Sequence, residues 1–191
     1  MRILIDLDDV LNDFARCLLF YNNRIHQTYH SITEIDRWDW WKDAYGKEWD
    51  YPLKTIEFWE DIDHDWCGFD FITNMFNKGH EIKIVSASNY SKMLGFKIDA
   101  LLTSFNVYKY KHNCWLTSLT LCDEDIIICH DKSLIRGDVL IDDNPNNLHD
   151  FPGVSITFAK PWNQQDLTFF RSNNWQEIEE YIDGLNIEFK Y

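Results

Sequence analysis

The fold is decided by the stretch RILIDLDDVLNDF at residues 2–14, in which an apolar run ends in acidic residues. The run from Ile3 to Ile5 is typical of a strand that is covered on both faces of a parallel sheet. Ligands of open α/β sheets bind beyond the carboxyl ends of the strands, so we expect Asp6 and Asp8 at that rim. Side chains two residues apart in an extended chain share a face, and two neighbouring carboxylates favour a hard cation such as Mg²⁺ between them. Taken alone, such acids also serve as helix caps or turn formers, so the rest of the chain has to decide.

The charge of the chain limits its partners. The 191 residues carry a formal net charge of −14, which would repel a nucleic-acid backbone and argues against binding to long nucleic acids. A small anionic substrate is compatible with this charge if a metal ion and a local lysine reverse the sign in one pocket. Aromatic residues make up 16% of the chain and include nine Trp, a high share that needs an explanation.

The cysteines and the hydropathy pattern indicate the cellular compartment in which the protein is expected. The five cysteines are widely spaced and form no Cys-x-x-Cys pair, which favours reduced thiols over a disulfide framework or a zinc site. Acidic residues interrupt the start of the chain before the apolar region of a secretion signal could form. No apolar run is long enough to span a bilayer. These features predict a soluble, cytoplasmic protein that makes no membrane contact.

Apolar runs alternate with helical periodicity along the chain, which indicates a parallel sheet with right-handed crossover connections. Further strands are predicted over 81–85, 126–129, 139–141 and 154–158, and helices over about 12–24, 69–76, 91–105, 145–148 and 175–182. The helix at 69–76 is expected to begin after Gly68 and to stop at Gly79. The predicted fold class is therefore α/β, a Rossmann-like parallel sheet with helices on both faces.

The segment 17–77 differs in character from its surroundings. It is rich in Trp and Tyr, interleaved with acids and lysines, and lacks runs of β-branched residues. We interpret it as a small, mostly helical cap inserted after the first strand, with residues 1–16 and 78–191 forming the α/β core domain. Its aromatic side chains could form a wall that faces a substrate or a satellite core that uses Trp, and the sequence leaves both open.

Polar residues follow three more of the predicted strands, at the same edge of the sheet as the first acidic pair. Ser86 and Lys132 each come shortly after a strand, and Asp142 and Asp143 follow another. Taken singly, Ser86 would be interpreted as a helix cap or turn residue and Lys132 as a solvated surface lysine. The pair Asp142-Asp143 would be interpreted as part of a turn. Together they place a hydroxyl, a fixed positive charge and further carboxylates on one rim, where they could bind phosphoryl oxygens and a metal ion. This coincidence predicts phosphoryl transfer.

Three of the acids have definite roles in such a reaction. Asp6 is the candidate nucleophile, because a desolvated carboxylate held by a metal ion can form an acyl phosphate. Asp8 is the candidate general acid for the leaving oxygen and then the general base for water. Asp142 would supply a carboxylate to Mg²⁺, with Asp143 close behind it.

These motifs resemble those of a known superfamily. The opening Asp6-Leu7-Asp8-Asp9-Val10-Leu11, the strand that ends at Ser86, Lys132, and the pair Asp142-Asp143 are similar to the four signature motifs of the haloacid dehalogenase (HAD) superfamily of phosphatases. The 5′(3′)-deoxyribonucleotidases are a closer match, in the acidic opening followed by Asp13-Phe14 and in the ten residues that separate Lys132 from Asp142. A Trp in the last helix is also shared. The resemblance covers the core from end to end but the cap only loosely, through Phe58-Trp59-Glu60.

The resemblance implies a HAD-type fold and a definite activity. It implies a Mg²⁺-dependent phosphatase that hydrolyses 5′ phosphates, and as a further option 3′ phosphates, of deoxyribonucleoside monophosphates through a phospho-aspartate. Asp6 would be the nucleophile and Asp8 the acid and base. Mg²⁺ would be bound by Asp6, the backbone carbonyl of Asp8 and Asp142, and Asp143 is a further candidate ligand.

The resemblance also implies a substrate site. The phosphate would be contacted by Ser86, Ala87 and Lys132. Phe14 and cap aromatics such as Trp59 would stack on a pyrimidine base, and Trp38 is a further candidate in the cap.

Three departures from the family pattern leave the sugar and base preference open. Asp9 stands where the family usually has Gly, and Asn144 stands where Arg is frequent. Trp66-Cys67-Gly68 replaces a common Pro-Gly before the helix at 69–76.

Three alternatives remain to be weighed. A phosphatase of another small phosphomonoester, such as a sugar phosphate, is the alternative among enzymes, because the cap and not the core selects the substrate. A receiver domain also combines acids, a hydroxyl and a lysine, but it carries its phospho-acceptor on a middle strand and has no place for the insertion. The intact acidic set disfavours an inactive binding protein. The expected partner is a small-molecule nucleotide, and the sequence leaves a homodimer open.

Overall fold

The computed structural model describes residues 1–87, 93–112 and 119–185, and within them six parallel strands form one sheet. The strands are β1 Arg2–Asp6, β2 Glu81–Ser86, β3 Ile126–Ile128, β4 Val139–Asp142, β5 Val154–Phe158 and β6 Phe170–Ser172. Their order is β3-β2-β1-β4-β5-β6, so the first strand of the chain lies in the middle of the sheet. The predicted parallel α/β sheet is confirmed. The short edge strand β6 is an element that the sequence did not predict.

Helices cover both faces of this sheet. The α-helices of the described residues are α1 Phe14–His26, α2 Trp40–Tyr45, α3 Ile56–Glu60, α4 Trp66–Asn77, α5 Leu94–Lys111, α6 Pro145–Asp150 and α7 Trp175–Asp183. Ile3 and Ile5 of β1 join a buried cluster with residues of α4, α5 and α7. Leu4 faces the other side, where Leu148 of α6 is buried. The apolar run of β1 is thus covered from both sides, as its sequence indicated.

Helix α4 begins earlier than its sequence predicted. It starts at Trp66, and the carboxylate of Asp65 caps it by accepting a hydrogen bond from the Cys67 N–H at 3.0 Å. Gly68 lies inside the helix, where a Cβ would come within 2.7 Å of Leu11 and 3.1 Å of Trp175. This glycine therefore allows close packing and does not mark a helix start. The predicted stop is confirmed, since the helix ends at Asn77 and Gly79 follows with a φ of +85°.

Helix α5 runs further than its sequence predicted. The predicted range was 91–105, and the helix continues to Lys111 because Tyr108 and Lys109 are also buried. Residues 91 and 92, at the predicted start, lie outside the described residues. None of the helices in the described ranges combines the length and the apolar character needed to cross a bilayer.

The Trp-rich segment and part of α1 form their own hydrophobic cluster, which we call the aromatic unit. Its buried members are Ala15, Leu18, Leu19, Ile35, Trp40, Trp41, Tyr45, Leu53, Phe58, Trp59 and Ile62. Helix α4, in contrast, buries Phe69, Phe71, Ile72 and Met75 in the cluster beneath β1. Packing thus ties α4 to the sheet, although it falls within the range 17–77 of the predicted cap. The division of the chain into a core domain and a cap stays a prediction.

Candidate active site

Three of the predicted polar residues are the last residues of adjacent strands. Asp6 ends β1, Ser86 ends β2 and Asp142 ends β4, and β1 pairs with both of the other strands. Because parallel strands end on the same side of a sheet, these side chains share one edge. The sequence argument assumed this arrangement of strand ends, and the structure has it for these three strands.

Lys132 lies between two of these carboxylates. It sits in a short turn at Lys132–Leu134 after β3 and is 2% exposed. Its Nζ donates to Asp6 Oδ1 and to Asp142 Oδ2, each at 2.6 Å. Burial lowers the pKa of the ammonium group, but the two carboxylates outweigh it and hold that pKa above its usual value. Lys132 is therefore a permanent positive charge at the centre of the site.

Asp6 is a buried carboxylate under competing influences. Burial raises its pKa to about 7, Lys132 opposes the rise, and the nearby acids Asp142 and Asp8 add to it. The group is thus removed from water, and it depends on positive neighbours to remain ionised. A desolvated carboxylate of this kind is a stronger nucleophile than a hydrated one.

Asp6, Asp142 and Asp143 form a group that could hold a metal ion, which we call the cation triad. Each offers a carboxylate oxygen, and these oxygens lie within 4.8 Å of one another. Asp143 is fully buried, and its Oδ1 has no hydrogen-bond partner among the described residues. Burial, with Asp9 and Asp142 nearby, raises the pKa of Asp143 well above its ordinary value. An all-oxygen set that includes such a buried acceptor fits a hard divalent cation such as Mg²⁺.

Hydrogen bonds hold the carboxylates of the cation triad in place. The backbone N–H of Asn144 donates to Asp142 Oδ1 at 2.8 Å, and the Asn147 amide donates to Asp142 Oδ2 at 3.0 Å. The indole N–H of Trp162 donates to Asp143 Oδ2 at 2.7 Å. Asn147 and Trp162 are thus parts of the site that the sequence argument missed.

The carboxylate of Asp8 lies outside the cation triad and pairs with a lysine that the sequence did not identify. Lys97 of α5 is 4% exposed, and its Nζ donates to Asp8 Oδ2 at 2.5 Å and to Ser86 Oγ at 2.7 Å. It also donates to the carbonyl of Ala87 at 3.2 Å. The sequence did carry a signal, because Lys97 occupies the four-residue spacing of Met93, Leu101 and Phe105 on the apolar stripe of the helix. The backbone carbonyl of Asp8 stays a predicted metal ligand.

A cavity of about 300 Å³ joins these groups to the aromatic unit. Its charged lining residues include Asp6, Asp8, Lys97 and Lys132, with Ala87 beside them. Its aromatic lining residues are Phe14, Trp38, Trp41, Trp49, Trp59 and Trp162. The cavity thus combines charged groups with a broad apolar wall, as sites for amphipathic small molecules do.

Most of the predicted site residues line this cavity. Ser86, Asp142 and Asp143 do not line it but contact the lining residues Lys97, Lys132 and Trp162, respectively. All three predicted substrate contacts, Phe14, Trp38 and Trp59, line it. Phe14 and Trp59 lie with ring centroids 6.2 Å apart, and Lys97 Nζ lies 5.6 Å from the Trp59 ring. Several aromatic residues therefore belong both to a packed cluster and to the cavity wall, so the two interpretations of the Trp-rich segment are compatible. The individual roles of the site residues stay predictions.

Comparison with known proteins gives a consistent result. A sequence model of the family described as 5′ nucleotidase, deoxy (pyrimidine), cytosolic type C protein matches residues 1–188. A 5′(3′)-deoxyribonucleotidase of Clostridium acetobutylicum is 30% identical over 187 residues, covering 95% of this chain and 94% of the relative. That of Bacillus subtilis (strain 168) is 26% identical over 188 residues, covering 94% and 97%. A HAD family hydrolase of Deinococcus radiodurans R1, solved with bound phosphate and sodium, has a TM-score of 0.57 at 11% identity over 95% of this chain and 94% of that one. The fold is therefore the HAD type.

Proposed function

Since this chain belongs to the deoxy (pyrimidine), cytosolic type C family of 5′ nucleotidases, we propose that it is a Mg²⁺-dependent phosphatase of deoxyribonucleoside monophosphates that acts through a phospho-aspartate. Membership makes the chain a phosphoric monoester hydrolase of the HAD superfamily. The finer proposal concerns the substrate, the metal ion and the mechanism. We propose the 5′ phosphate as the group that is hydrolysed and the 3′ phosphate as a second substrate class to be tested.

One observation carries the proposal: Lys132 bridges Asp6 and Asp142 at a cavity that six aromatic side chains also line. The charged groups suit the phosphate, and the aromatic groups suit the base of a nucleotide. A sugar phosphate would use the charged groups but would leave the aromatic groups without a partner. The composition of the cavity therefore favours a nucleotide.

The reaction that we propose has two steps. In the first, a carboxylate oxygen of Asp6 attacks phosphorus, the bond from phosphorus to the sugar oxygen breaks, and Asp8 gives that oxygen a proton. In the second, Asp8 takes a proton from water, the water oxygen attacks phosphorus, and the bond to Asp6 breaks to release inorganic phosphate. Lys132 stabilises the negative charge that develops on the phosphoryl oxygens.

The cation triad would hold Mg²⁺ in this mechanism. Asp6, Asp142 and Asp143 provide its carboxylate oxygens, and the backbone carbonyl of Asp8 is the further predicted ligand. When bound, the ion neutralises phosphoryl oxygens and orients the phosphate for in-line displacement.

Lys97 has a place in this mechanism as well. Its Nζ donates to Asp8 Oδ2 and to Ser86 Oγ, so it links the proposed acid and base to the proposed phosphate site. A phosphate dianion that enters beside Ser86 gives Lys97 a second anionic partner and weakens its hold on Asp8.

The proposal is tested by phosphate release from a panel of nucleotides and sugar phosphates, with Mg²⁺ and with a chelator. We expect turnover of dUMP and dTMP well above that of ribose or hexose phosphates, and loss of turnover when the chelator is present. A preference for sugar phosphates would reject the nucleotidase assignment. Phosphate release from deoxynucleoside 3′ monophosphates in the same panel would establish the second substrate class, and its absence would reject that class.

The covalent step has its own test. Asp6→Asn should lower turnover by at least about 10³-fold, because the amide cannot act as the nucleophile. Its unfolding temperature should stay close to that of the unsubstituted protein. Asp13→Asn is a matched control on the same loop, since the Asp13 side chain is partly exposed and pairs with Arg16. Full activity in the Asp6→Asn variant would refute the phospho-aspartate.

A further inference from the structure

The turn after β5 is built around Asp143. Asn163 is 2% exposed, and its amide donates to the backbone carbonyl of Asp143 at 2.8 Å and to that of Phe158 at 2.9 Å. Its Oδ1 accepts from the Lys160 N–H at 2.9 Å and from the Arg171 guanidinium at 3.1 Å. These four bonds fix the turn Pro161–Asn163 on the backbone of the carboxylate residue. Trp162, between Pro161 and Asn163, therefore has a defined place beside the cation triad.

The indole of Trp162 fixes the side chain of Asp143 as well. Its Nε1 donates to Oδ2 at 2.7 Å, while the buried Oδ1 of the same carboxylate meets no donor in the part of the chain that the structure describes. A carboxylate is planar, so fixing one oxygen and the backbone also fixes the direction of the other oxygen. An indole is an N–H donor without a charge, and it holds the carboxylate without competing with a cation for its second oxygen.

Trp162 also reaches the aromatic unit. Its ring lies with the centroid 6.3 Å from that of Trp38 at an interplanar angle of 62°, and both rings line the cavity. One side chain thus contacts a carboxylate of the cation triad at one end and a predicted base-binding residue at the other.

From these contacts we propose that Trp162 is a positioning residue, whose indole N–H holds Asp143 in the orientation that binds the divalent cation. This inference rests on the cation site of the proposed function and assigns to it a residue outside the carboxylate set. Loss of a hydrogen bond to a metal ligand typically weakens metal affinity by about 10- to 100-fold. A residue that served only to pack the turn would leave metal affinity unchanged when its ring was replaced by another aromatic ring.

The test measures Mg²⁺ binding to the full chain by titration calorimetry, without substrate. Trp162→Phe keeps an aromatic ring against Trp38 and removes the N–H donor, and we expect it to raise the Kd for Mg²⁺ by about 10-fold. Trp38→Phe is the matched control, because it makes the same exchange in the neighbouring ring, and it should leave the Kd within about twofold of the unsubstituted protein. Trp162→His restores an N–H donor on a smaller ring and should recover part of the affinity that the Phe variant loses.

Each outcome bears on the assignment. Equal Mg²⁺ affinity in Trp162→Phe and the unsubstituted protein would overturn it, as would an equal loss in Trp38→Phe. Should Trp162→Phe fail to fold, as judged by its unfolding curve, the His variant decides alone. A Kd raised by less than about 10-fold supports the role of the N–H, and a larger rise refutes it. An unsubstituted protein that bound no Mg²⁺ while still releasing phosphate would overturn the cation site itself and separate that failure from the nucleotidase activity.

Discussion

Replacing Lys97 with Met should impair catalysis far more than an equivalent change elsewhere in the same helix. Lys97 is 4% exposed, and Met keeps an unbranched side chain one atom shorter while removing three hydrogen bonds, to Asp8 at 2.5 Å, Ser86 at 2.7 Å and Ala87 at 3.2 Å. A hydrogen bond that involves a charged group is worth about 1.5–3 kcal/mol, so loss of one such bond to the reacting groups lowers kcat/KM by about 10- to 150-fold. Because Lys97 contacts both Asp8 and Ser86, we expect kcat to fall and KM to rise.

Lys109 provides the matched control for this prediction. It is also a buried lysine of α5, 6% exposed, and its Nζ donates to the carbonyl of Leu119, away from the cavity. Lys109→Met should lower the stability of the protein and leave kcat/KM within about twofold. The assay is phosphate release from dUMP with saturating Mg²⁺, together with urea unfolding of both variants. Equal kcat/KM values in the Lys97 and Lys109 variants would refute the reasoning.

Three further predictions concern stability at the start of α4. Gly68→Ala should lower the free energy of unfolding by about 1–3 kcal/mol, because the new Cβ would meet Leu11 at 2.7 Å; an unchanged urea midpoint would show that Leu11 can move aside freely. Asp65→Ala should cost about 2–4 kcal/mol, because it removes the cap on Cys67 N–H and the acceptor of the Trp175 indole at 2.6 Å; Asp65→Asn, which keeps the capping oxygen, should cost less, and a larger loss in Asn than in Ala would contradict this. Burial lowers the pKa of His64 to about 4, so the folded state favours the neutral ring, and stability should fall by up to about 3 kcal/mol as the pH drops from 6.5 to 4. His64→Gln should flatten that part of the pH profile of unfolding, and identical profiles for the two proteins would reject the assignment.

The core of the site could be predicted because it depends on local patterns and one rule of topology. The runs before Asp6, Ser86 and Asp142 are short and mostly apolar, which indicates buried strands of a parallel sheet. The carboxyl ends of such strands meet at one edge, whatever the order of the strands. Lys132 follows the same rule, although it comes from the turn after β3. The sequence can therefore place these residues together without a full model of the fold.

The elements that the sequence did not predict depend on partners far away along the chain. Strand β6 is three residues long, and pairing with β5 defines it more than its own composition does. Gly68 looks like a helix boundary in the sequence, since glycine commonly ends helices. Its actual role depends on Leu11 and Trp175, which no local pattern connects to it.

The charges at the site show how far sequence reasoning could have gone. A lysine on an apolar helix stripe, such as Lys97, implies a buried charge that needs an acidic partner, but the chain offers 32 acids and the pattern does not select Asp8 among them. Once the structure supplies the pairing, Lys97 offsets Asp8, and among the described residues Lys132 is the ammonium group that pairs with the cation triad. Three buried carboxylates share that one ammonium group, and burial raises the pKa of Asp6 to about 7 and that of Asp143 well above its ordinary value. Further positive charge would therefore be needed to keep all three ionised. A divalent cation such as the proposed Mg²⁺ would supply that charge, so removal of any one triad carboxylate should weaken cation binding.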